Sequence, residues 1–328
     1  MKTKVIFVKF VIAMGALLAN SMCNAQQTAP PENLTQQAAA HLRHPAQMMM
    51  LGAALAGPRI VAVGDRGVIL LSDDDGKTYR QAKQVPTRAT LTGVSFIDAK
   101  QGWAAGHWGV ILHTADGGET WSLQRDDTSV DQPLHTVWFK DKDHGIAAGL
   151  FSLLLVTDDG GKSWKTSTLP AAPGGKRSDL NLFRIFPDKL GNVLIVGEQG
   201  SVYRSTDNGT SWELLATGNK GTLWAGIVLT DNSILVGGIS GRILRSSDNG
   251  KSWNQVVSGT KSSITDFVEL ANGQVLGVGL DGYSVTSDNH GETFIVKQRD
   301  DQLSLTTAVV NGKGVPLIFS QTGVVTAK

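Results

Sequence analysis

From residue 50 to the end of the chain, apolar and polar positions alternate over short stretches that are separated by turns rich in Gly, Asp and Ser. In the segment 91–125, the stretches "LTGVSFID", "GWAAG", "GVILHT" and "TWSLQ" follow one another with only short gaps. Alternation with a period of two, in stretches rich in β-branched and aromatic residues, is typical of strands and not of amphipathic helices. We therefore predict four short antiparallel strands in this segment.

The same unit recurs along the chain, because an eight-residue turn of the form Ser/Thr-x-Asp-x-Gly-x-Ser/Thr-aromatic closes each group of strands. Its copies start 42, 43, 48, 41 and 41 residues apart, and the sixth has Asn289 in the Asp position; they are "SDDDGKTY" (72–79), "TADGGETW" (114–121), "TDDGGKSW" (157–164), "STDNGTSW" (205–212), "SSDNGKSW" (246–253) and "SDNHGETF" (287–294). Four strands per repeat of about forty residues are typical of a propeller blade. With a truncated repeat at "SQTGVVTAK", we predict an all-β, seven-bladed β-propeller.

We call the eight-residue motif the Asp-box turn and interpret it as structural. Asp and Ser/Thr side chains accept hydrogen bonds from backbone N–H groups of their own turn, and Gly adopts backbone conformations that other residues resist. The final aromatic residue buries a large apolar face against the next blade. The spacing of the aspartates does not resemble that of a calcium-binding loop, so we expect turn-stabilising roles and no metal site.

The first 46 residues differ from the repeats. Residues 1–25 combine three lysines with an apolar run from Val5 to Leu18, which predicts a secretory signal peptide that is cleaved near Ala25 and removes Cys23. Residues 26–46 are polar and form a lead-in, which could supply the strand that the last blade lacks and so close the ring. Residues 47–328 form the propeller, and no further linker is evident. The expected location is the periplasm, or secretion from the cell.

Charge and composition narrow the classes of function. The chain has 38 glycines and a net charge of +1, and loss of Lys2, Lys4 and Lys9 with the signal peptide leaves 27 basic and 29 acidic residues, or −2. That balance gives no indication of nucleic-acid binding. A mature chain without cysteine has no disulfide and no thiol catalysis. No phosphate-binding loop, zinc spacing or nucleophile triad is present, so we expect no cofactor.

The joined unit "GWAAGHWGVILHTADGGETW" (102–121) closely resembles the repeat of the photosystem II stability/assembly factor family. The stretches "GIAAGLFSLLLVTDDGGKSW" (145–164) and "VGGISGRILRSSDNGKSW" (236–253) fit the same repeat, and the resemblance covers 47–328. It implies a seven-bladed propeller that is not an enzyme and that assists a membrane protein complex or transporter through an arginine-rich face. Its partner would be a membrane protein or a subunit of a membrane complex.

A partner is expected on the face opposite the Asp-box turns, which we call the opposite face. It consists of the turns between second and third strands and the loops between blades, and loops on a rigid scaffold often carry function. Arginine and aromatic side chains there would suit an anionic partner. The candidates are Arg66, Trp108 and Phe151 in the turns and Arg88, Arg125, Lys176, Arg177, Lys220, Lys261 and Arg299 in the loops. Alternatively, the aromatic residues fold back over a neighbouring blade and the cations are ordinary surface charges. Arg184, in an inner strand, must face the central channel or be paired.

The alternative function is a glycan-binding module or a glycoside hydrolase, since sialidases and xyloglucan hydrolases also have Asp-box turns. "FRIFP" (183–187) faintly resembles a sialidase motif, but Tyr203 and Tyr283 do not lie on expected cleft loops. Hydrolysis would need two carboxylates at a set separation, for which Glu198 and Asp281 are the candidates. The loops are short for a sugar cleft, so the binding scaffold is the preferred hypothesis.

Overall fold

The computed structural model describes residues 33–170 and 179–325. The predicted signal peptide, the loop cations Lys176 and Arg177, and the last three residues lie outside the described residues. The part that begins at Leu34 is a single compact unit. No helix in the described ranges is long and apolar enough to span a bilayer.

Seven antiparallel sheets follow one another along the chain, six of four strands and one of three. The prediction of a seven-bladed β-propeller is therefore confirmed. Blades 1 to 4 are formed by β1 (Met50–Ala56), β2 (Arg59–Gly64), β3 (Ile69–Ser72), β4 (Arg80–Gln81); β5 (Leu91–Phe96), β6 (Gly102–Gly106), β7 (Ile111–Thr114), β8 (Ser122–Arg125); β9 (Leu134–Phe139), β10 (Gly145–Gly149), β11 (Leu154–Thr157), β12 (Lys165–Thr166); and β13 (Leu182–Pro187), β14 (Val193–Gly197), β15 (Val202–Ser205), β16 (Glu213–Leu215).

The remaining three blades have the same strand order. They are formed by β17 (Leu223–Val228), β18 (Ile234–Gly238), β19 (Ile243–Ser246), β20 (Asn254–Val256); β21 (Ile264–Glu269), β22 (Val275–Gly279), β23 (Tyr283–Ser287), β24 (Ile295–Gln298); and β25 (Leu305–Val310), β26 (Pro316–Ser320), β27 (Gly323–Val324). Short 3-10 turns occur at Leu34–Gln36 and Pro45–Gln47, and at the second–third turn of blades 1 to 6.

The first strand of each blade contacts the first strands of both neighbouring blades, so these seven inner strands surround the axis of the ring. The second strands are the most buried elements, and in β6, β10, β14, β18 and β22 every residue is buried. A strand with pairing partners on both edges and a blade against each face has no solvent-facing side. This explains the nearly continuous apolar runs such as "VLIVG" (193–197).

The Asp-box turns have the predicted hydrogen bonds. In the second copy, Thr114 and Thr120 donate their hydroxyls to Asp116 at 2.8 and 2.7 Å, and the Gly118 N–H donates to the Thr114 hydroxyl at 3.0 Å. The closing aromatic residue of that copy, Trp121, is 3% exposed and donates its indole N–H to the carbonyl of Gly118 at 2.9 Å. In blade 6, Asn289 replaces Asp and accepts from Ser287 Oγ at 2.9 Å and from Thr293 N at 3.0 Å, while its side-chain amide nitrogen donates to the Thr293 hydroxyl at 3.0 Å. The turns are structural, as predicted.

In the described residues the lead-in supplies no strand to blade 7. The sheet of blade 7 has three strands there, and residues 34–47 form two 3-10 turns. The first part of the described lead-in lies along blade 1, where Ala39 N donates to Val85 O at 2.9 Å and Arg88 N donates to Leu34 O at 2.8 Å. Its end, the 3-10 turn Pro45–Gln47, contacts β27, and Ala46 and Val324 pack against the apolar cluster that joins blades 7 and 1. Blades 7 and 1 contact each other directly, since the Thr306 hydroxyl donates to Met50 O at 2.5 Å and Lys313 pairs with Asp75 at 2.7 Å.

Candidate functional site

The opposite face is built on a repeated three-residue turn with one unusual backbone feature. Its middle residue has a positive φ of 53 to 58° in all six 3-10 turns: Arg66, Trp108, Phe151, Gln199, Ser240 and Asp281. This left-handed region is unfavourable for bulky side chains, and such residues are outliers in it. The turn geometry thus presents one side chain per blade, and that side chain differs from blade to blade.

The two aromatic candidates in these turns behave differently. Trp108 is partly buried and packs against the apolar core of blades 1 and 2, so it folds back, as the alternative interpretation allowed. Phe151 is 55% exposed, and the next residue, Ser152, also has a positive φ of 57° where the turns of blades 1, 2, 4, 5 and 6 have glycine. Of the two aromatic residues, only Phe151 presents its ring to solvent.

The acidic residues of these turns are engaged in local contacts. Glu198 accepts from the backbone and side-chain N–H groups of Asn181, both at 3.0 Å. Asp281 accepts from the hydroxyl of Ser262. Each carboxylate therefore ties its turn to the adjoining loop between blades. Glu198 and Asp281, the candidate carboxylates for hydrolysis, therefore have a structural role. Tyr203 is 1% exposed and lies in the core.

Three of the basic candidates make intramolecular contacts. Arg88 donates to the lead-in residue Gln37 at 3.1 Å. Arg125 donates to Gly109 O at 2.7 Å and pairs with Asp127 at 3.3 Å. Arg299 forms a two-pronged pair with Asp301, at 2.9 and 2.7 Å, and this contact raises the pKa of its guanidinium. These side chains therefore have a structural role in the loops between blades.

The remaining described candidates are exposed. Arg66 is 69% exposed in its side chain and lies 3.7 Å from its neighbour Asp65. Lys220 and Lys261 are exposed, and neither pairs with an acid among the described residues. Lys220 precedes blade 5 and Lys261 follows it, so the uncompensated charge is concentrated around that blade.

Blade 5 also has a basic cavity that the sequence analysis missed. The cavity has a volume of about 330 Å³ and is lined by Arg242, Lys261, Gln255 and Val257, among others. Arg242 donates to Gln255 at 3.0 Å and pairs with no acid in the described ranges, and Ile239 in the same turn is 42% exposed. Arg242 follows the turn "GISG", and comparison of the repeats could have found it, since the equivalent position is Val68 in blade 1 and Val110 in blade 2.

Arg184 is paired, which is one of the two outcomes predicted for it. Its Nη2 lies 3.3 Å from Oδ1 of Asp266, two blades away, and the Arg184 side chain is 35% exposed. Asp266 is almost fully buried, and its carboxylate also accepts from the Thr307 hydroxyl at 2.7 Å and from Ala308 N at 3.2 Å. Burying a carboxylate is costly unless it is paired and hydrogen-bonded, and these three groups satisfy that need.

No cluster of three or more His, Cys, Asp or Glu side chains that could hold a metal ion occurs within residues 33–170 and 179–325. The opposite face, as described, has exposed charged and apolar groups. It offers cations around blade 5, exposed apolar side chains at Phe151 and Ile239, and backbone turns held by local hydrogen bonds.

Comparison with known proteins identifies relatives of this chain. A family model described as Photosynthesis system II assembly factor YCF48 matches residues 81–226. A curated relative, the photosystem II assembly protein Ycf48 of Thermosynechococcus vestitus (strain NIES-2133 / IAM M-273 / BP-1), is 42% identical over 138 residues, which are 41% of this chain and 38% of that protein. The match thus spans well under half of the relative's length.

Solved structures share the fold at low sequence identity. A structure described as YCF48 bound to D1 peptide has a TM-score of 0.70 at 18% identity, over 88% of this chain and 94% of the other. YCF48 from Cyanidioschyzon merolae has a TM-score of 0.68 at 17% identity, over 87% and 96%. The WD40 propeller domain of Doa1 has a TM-score of 0.65 at 14% identity, over 88% and 95%. The fold is therefore shared with propellers of low sequence identity, whereas the family-model match confirms the predicted resemblance over residues 81–226.

Proposed function

Since this chain is a relative of the photosystem II assembly factor family, we propose that it is an exported binding scaffold without catalytic activity. It would assist the assembly or stability of a membrane protein complex by holding one of its subunits. A related propeller is described as bound to a D1 peptide, which supports a peptide segment of a membrane protein as the type of partner.

The observation that carries the proposal is the unpaired basic surface of blade 5. Lys220, Arg242 and Lys261 lie at its second–third turn and at the loops on either side, and none of them pairs with an acid among the described residues. Cations without an internal partner raise the rate and specificity of association with an acidic segment. By contrast, Arg88, Arg125 and Arg299 are held by contacts within the chain.

No contact in the described residues favours the glycan or hydrolase alternative. Glu198 and Asp281, the two carboxylates considered for it, are hydrogen-bonded to Asn181 and Ser262. A retaining or inverting glycosidase needs two carboxyl groups that act directly on the substrate.

The signal-like sequence of residues 1–25 supports export to the periplasm as part of the proposal. The mass of the protein recovered from a periplasmic extract tests this, because cleavage near Ala25 removes those residues. Recovery of the full-length chain from the cytoplasm would contradict it.

The proposed partner is tested by a pull-down. Tagged residues 26–328 are incubated with detergent-solubilised membranes of the source organism, beside a variant that carries Lys220→Gln, Arg242→Gln and Lys261→Gln. We expect one membrane protein to be retained by the wild type and at least about tenfold less by the variant, which corresponds to about 1.4 kcal/mol of binding free energy. The matched control, Lys77→Gln, Lys162→Gln and Lys251→Gln, removes the same charge from exposed Asp-box lysines and should retain the partner fully.

Equal retention by both triple variants would remove blade 5 as the site but leave the binding role intact. If the wild type retains no membrane protein, the proposed function is wrong.

A further inference from the structure

Every inner strand begins with the same irregularity. In each blade the pairing between first and second strands skips one residue, and this bulge residue is Leu51, Thr92, His135, Phe183, Trp224, Thr265 and Thr306 in blades 1 to 7. In blades 1 to 6 the residue before each bulge pairs with the glycine that precedes the second–third turn, as Leu91 does with Gly106, and in blade 7 Leu305 pairs with Ser320. The seven bulge residues therefore lie around the axis at the opposite face.

In four blades the bulge residue bonds to the next blade. Thr92 donates to Leu134 O at 2.7 Å, Thr265 to Leu305 O at 2.9 Å and Thr306 to Met50 O at 2.5 Å. His135 contacts Leu182 O through Nδ1 at 3.1 Å. The acceptor is always the carbonyl of the residue before the next bulge. A repeated hydrogen bond thus joins neighbouring blades at this level.

Blades 1, 4 and 5 depart from this pattern: blade 1 has Leu51, and the neighbouring blades 4 and 5 have aromatic residues. Phe183 has no side-chain donor, and Trp224 donates its indole N–H to no described residue. Both rings are only partly buried. The position that holds a hydrogen-bonding threonine in three other blades thus holds a partly exposed aromatic side chain in two neighbouring blades. These rings pack against each other between the blades and leave part of their surface open to solvent.

The aromatic residues form a continuous row with His135. The rings of His135 and Phe183 are stacked, with centroids 5.0 Å apart and an interplanar angle of 13°, and the rings of Phe183 and Trp224 are 6.3 Å apart and tilted by 56°. Burial lowers the pKa of His135, so its ring is uncharged at neutral pH. We call His135, Phe183 and Trp224 the aromatic row; it is an apolar strip across blades 3, 4 and 5.

Positive charge borders the aromatic row. Arg184 directly follows the bulge residue Phe183. Side chains at this position point toward the next blade, since Thr136 accepts from Ile185 N and Asp266 accepts from Ala308 N. The equivalent residue of blade 5 is the small Ala225. The Arg184 side chain extends past it and contacts Asp266 of blade 6 through one nitrogen. A guanidinium has five N–H donors, so most of them have no acceptor in this pair. Lys220 and Lys261 flank the blade that carries Trp224.

We propose that the aromatic row binds the apolar side chain of an acidic peptide segment of the partner, while Arg184 and the cations of blade 5 bind a neighbouring carboxylate. This rests on the proposed function and adds the chemistry that the partner must have. Aromatic and arginine side chains together provide most of the affinity in many interfaces, and arginine binds carboxylates strongly.

The fold itself supplies the variants for a test. Phe183→Thr and Trp224→Thr introduce the bulge residue of blades 2, 6 and 7, so they keep the local geometry and can restore the bond to the next blade. Leu51→Thr makes the same type of change in blade 1, away from the row, and is the matched control. Arg184→Lys keeps the charge beside Asp266 but removes the planar fork, whereas an uncharged residue would leave Asp266 buried and unpaired.

The probe is an array of short immobilised peptides in which an acidic residue is followed by Leu, Phe or Pro, or by Ser in the control set. We expect wild-type protein and Leu51→Thr to bind the apolar set in preference to the serine set. Binding should fall at least about tenfold in Phe183→Thr and in Trp224→Thr, and about threefold or more in Arg184→Lys. Thermal unfolding checks that each variant remains folded.

Three outcomes would overturn the proposal: equal binding of the apolar and serine sets, no binding of any peptide, or equal losses in Leu51→Thr and the row variants. Binding of a neutral oligosaccharide such as cellohexaose that is lost in the row variants would assign the row to carbohydrate instead. The membrane pull-down separates the two proposals. If the wild type and the row variants retain a membrane partner equally, the proposed function holds but the aromatic row is not its binding site.

Discussion

The two faces of the propeller use repetition in opposite ways. At the Asp-box turns the same side-chain bonds recur in six blades, with distances such as 2.9, 2.9 and 2.8 Å from the first hydroxyl to the central Gly N–H in blades 1, 3 and 4. On the opposite face the backbone turn recurs equally well, but its middle residue is Arg, Trp, Phe, Gln, Ser or Asp. Invariant side chains within the repeat thus mark folding requirements, whereas the varied side chains of the opposite face differ in role: Trp108 packs against the core and Phe151 is exposed.

The sharpest test of this comparison substitutes a tryptophan on each face. Trp121 ends an Asp-box turn, is 3% exposed and packs edge-on against Phe96 at 6.1 Å. Trp121→Ala should lower the free energy of unfolding by about 3–5 kcal/mol, because a large cavity forms in the core between blades. Trp108→Ala, in a second–third turn, should cost roughly 1 kcal/mol, since its ring is only partly buried.

Urea unfolding of the two alanine variants beside the wild type gives the measurement. Similar losses for both would mean that the opposite face is as structural as the Asp-box face.

The fold could be predicted from the sequence because each blade contains the same strand pattern and the same turn motif. The spacing of the Asp-box turns gave the number of blades, and the hydrogen bonds of Asp116 and Asp248 follow from residue types alone. Counting strands suggested that the lead-in could supply one, but in the described residues the ends of the ring are joined by the 3-10 turn Pro45–Gln47 against β27 and by the hydrogen bond of Thr306 with Met50. Local structure that repeats can be predicted from the sequence. Closure of the ring depends on contacts between distant parts of the chain, which the repeat does not specify.

The site was harder to predict, because loop charges reveal nothing about their partners. Arg125 and Arg299 were expected to face a partner, yet Asp127 and Asp301, only two residues away, pair with them. Phe183 and Trp224 lie in inner strands and were not among the predicted site residues. Aligning the seven starts "MLG", "LTG", "LHT", "LFR", "LWA", "ITD" and "LTT" would have shown Phe and Trp in a column that is Thr in three blades.

Acid should weaken the Asp-box face selectively. The hydrogen bond from Thr78 holds the pKa of Asp74 at about 2, and those from Ser163 and Ser252 do the same for Asp159 and Asp248, below the ordinary 3.8. Because these pKa values are lower in the folded chain, the carboxylates stabilise it above about pH 4. That contribution is lost as the pH falls from about 4 toward 2.

The corresponding triple variant, with Asp74→Asn, Asp159→Asn and Asp248→Asn, copies the turn of blade 6, where Asn289 accepts bonds from Ser287 and Thr293 without titrating. Its circular dichroism should show a shallower loss of structure between pH 4 and pH 2 than the wild type. Asp131→Asn, Asp179→Asn and Asp300→Asn together remove the same charge from exposed loops and should leave the acid transition of the wild type unchanged. Parallel acid curves for the wild type and the Asp-box variant would refute this account.

The smallest expected effect concerns backbone strain at the exposed turn of blade 3. Phe151 has a φ of 53° and its ring is 55% exposed, so the side chain gains little packing in return for an unfavourable backbone. Asparagine tolerates this conformation better than other residues with a side chain. Phe151→Asn should therefore raise the free energy of unfolding by about 0.5–1 kcal/mol. At Gln199, with a φ of 56°, the strain is similar but the side chain is polar, and Gln199→Asn serves as the control. If Phe151→Asn is destabilising while Gln199→Asn is not, the ring makes stabilising contacts, and Phe151 belongs with Trp108 among the residues that support the fold.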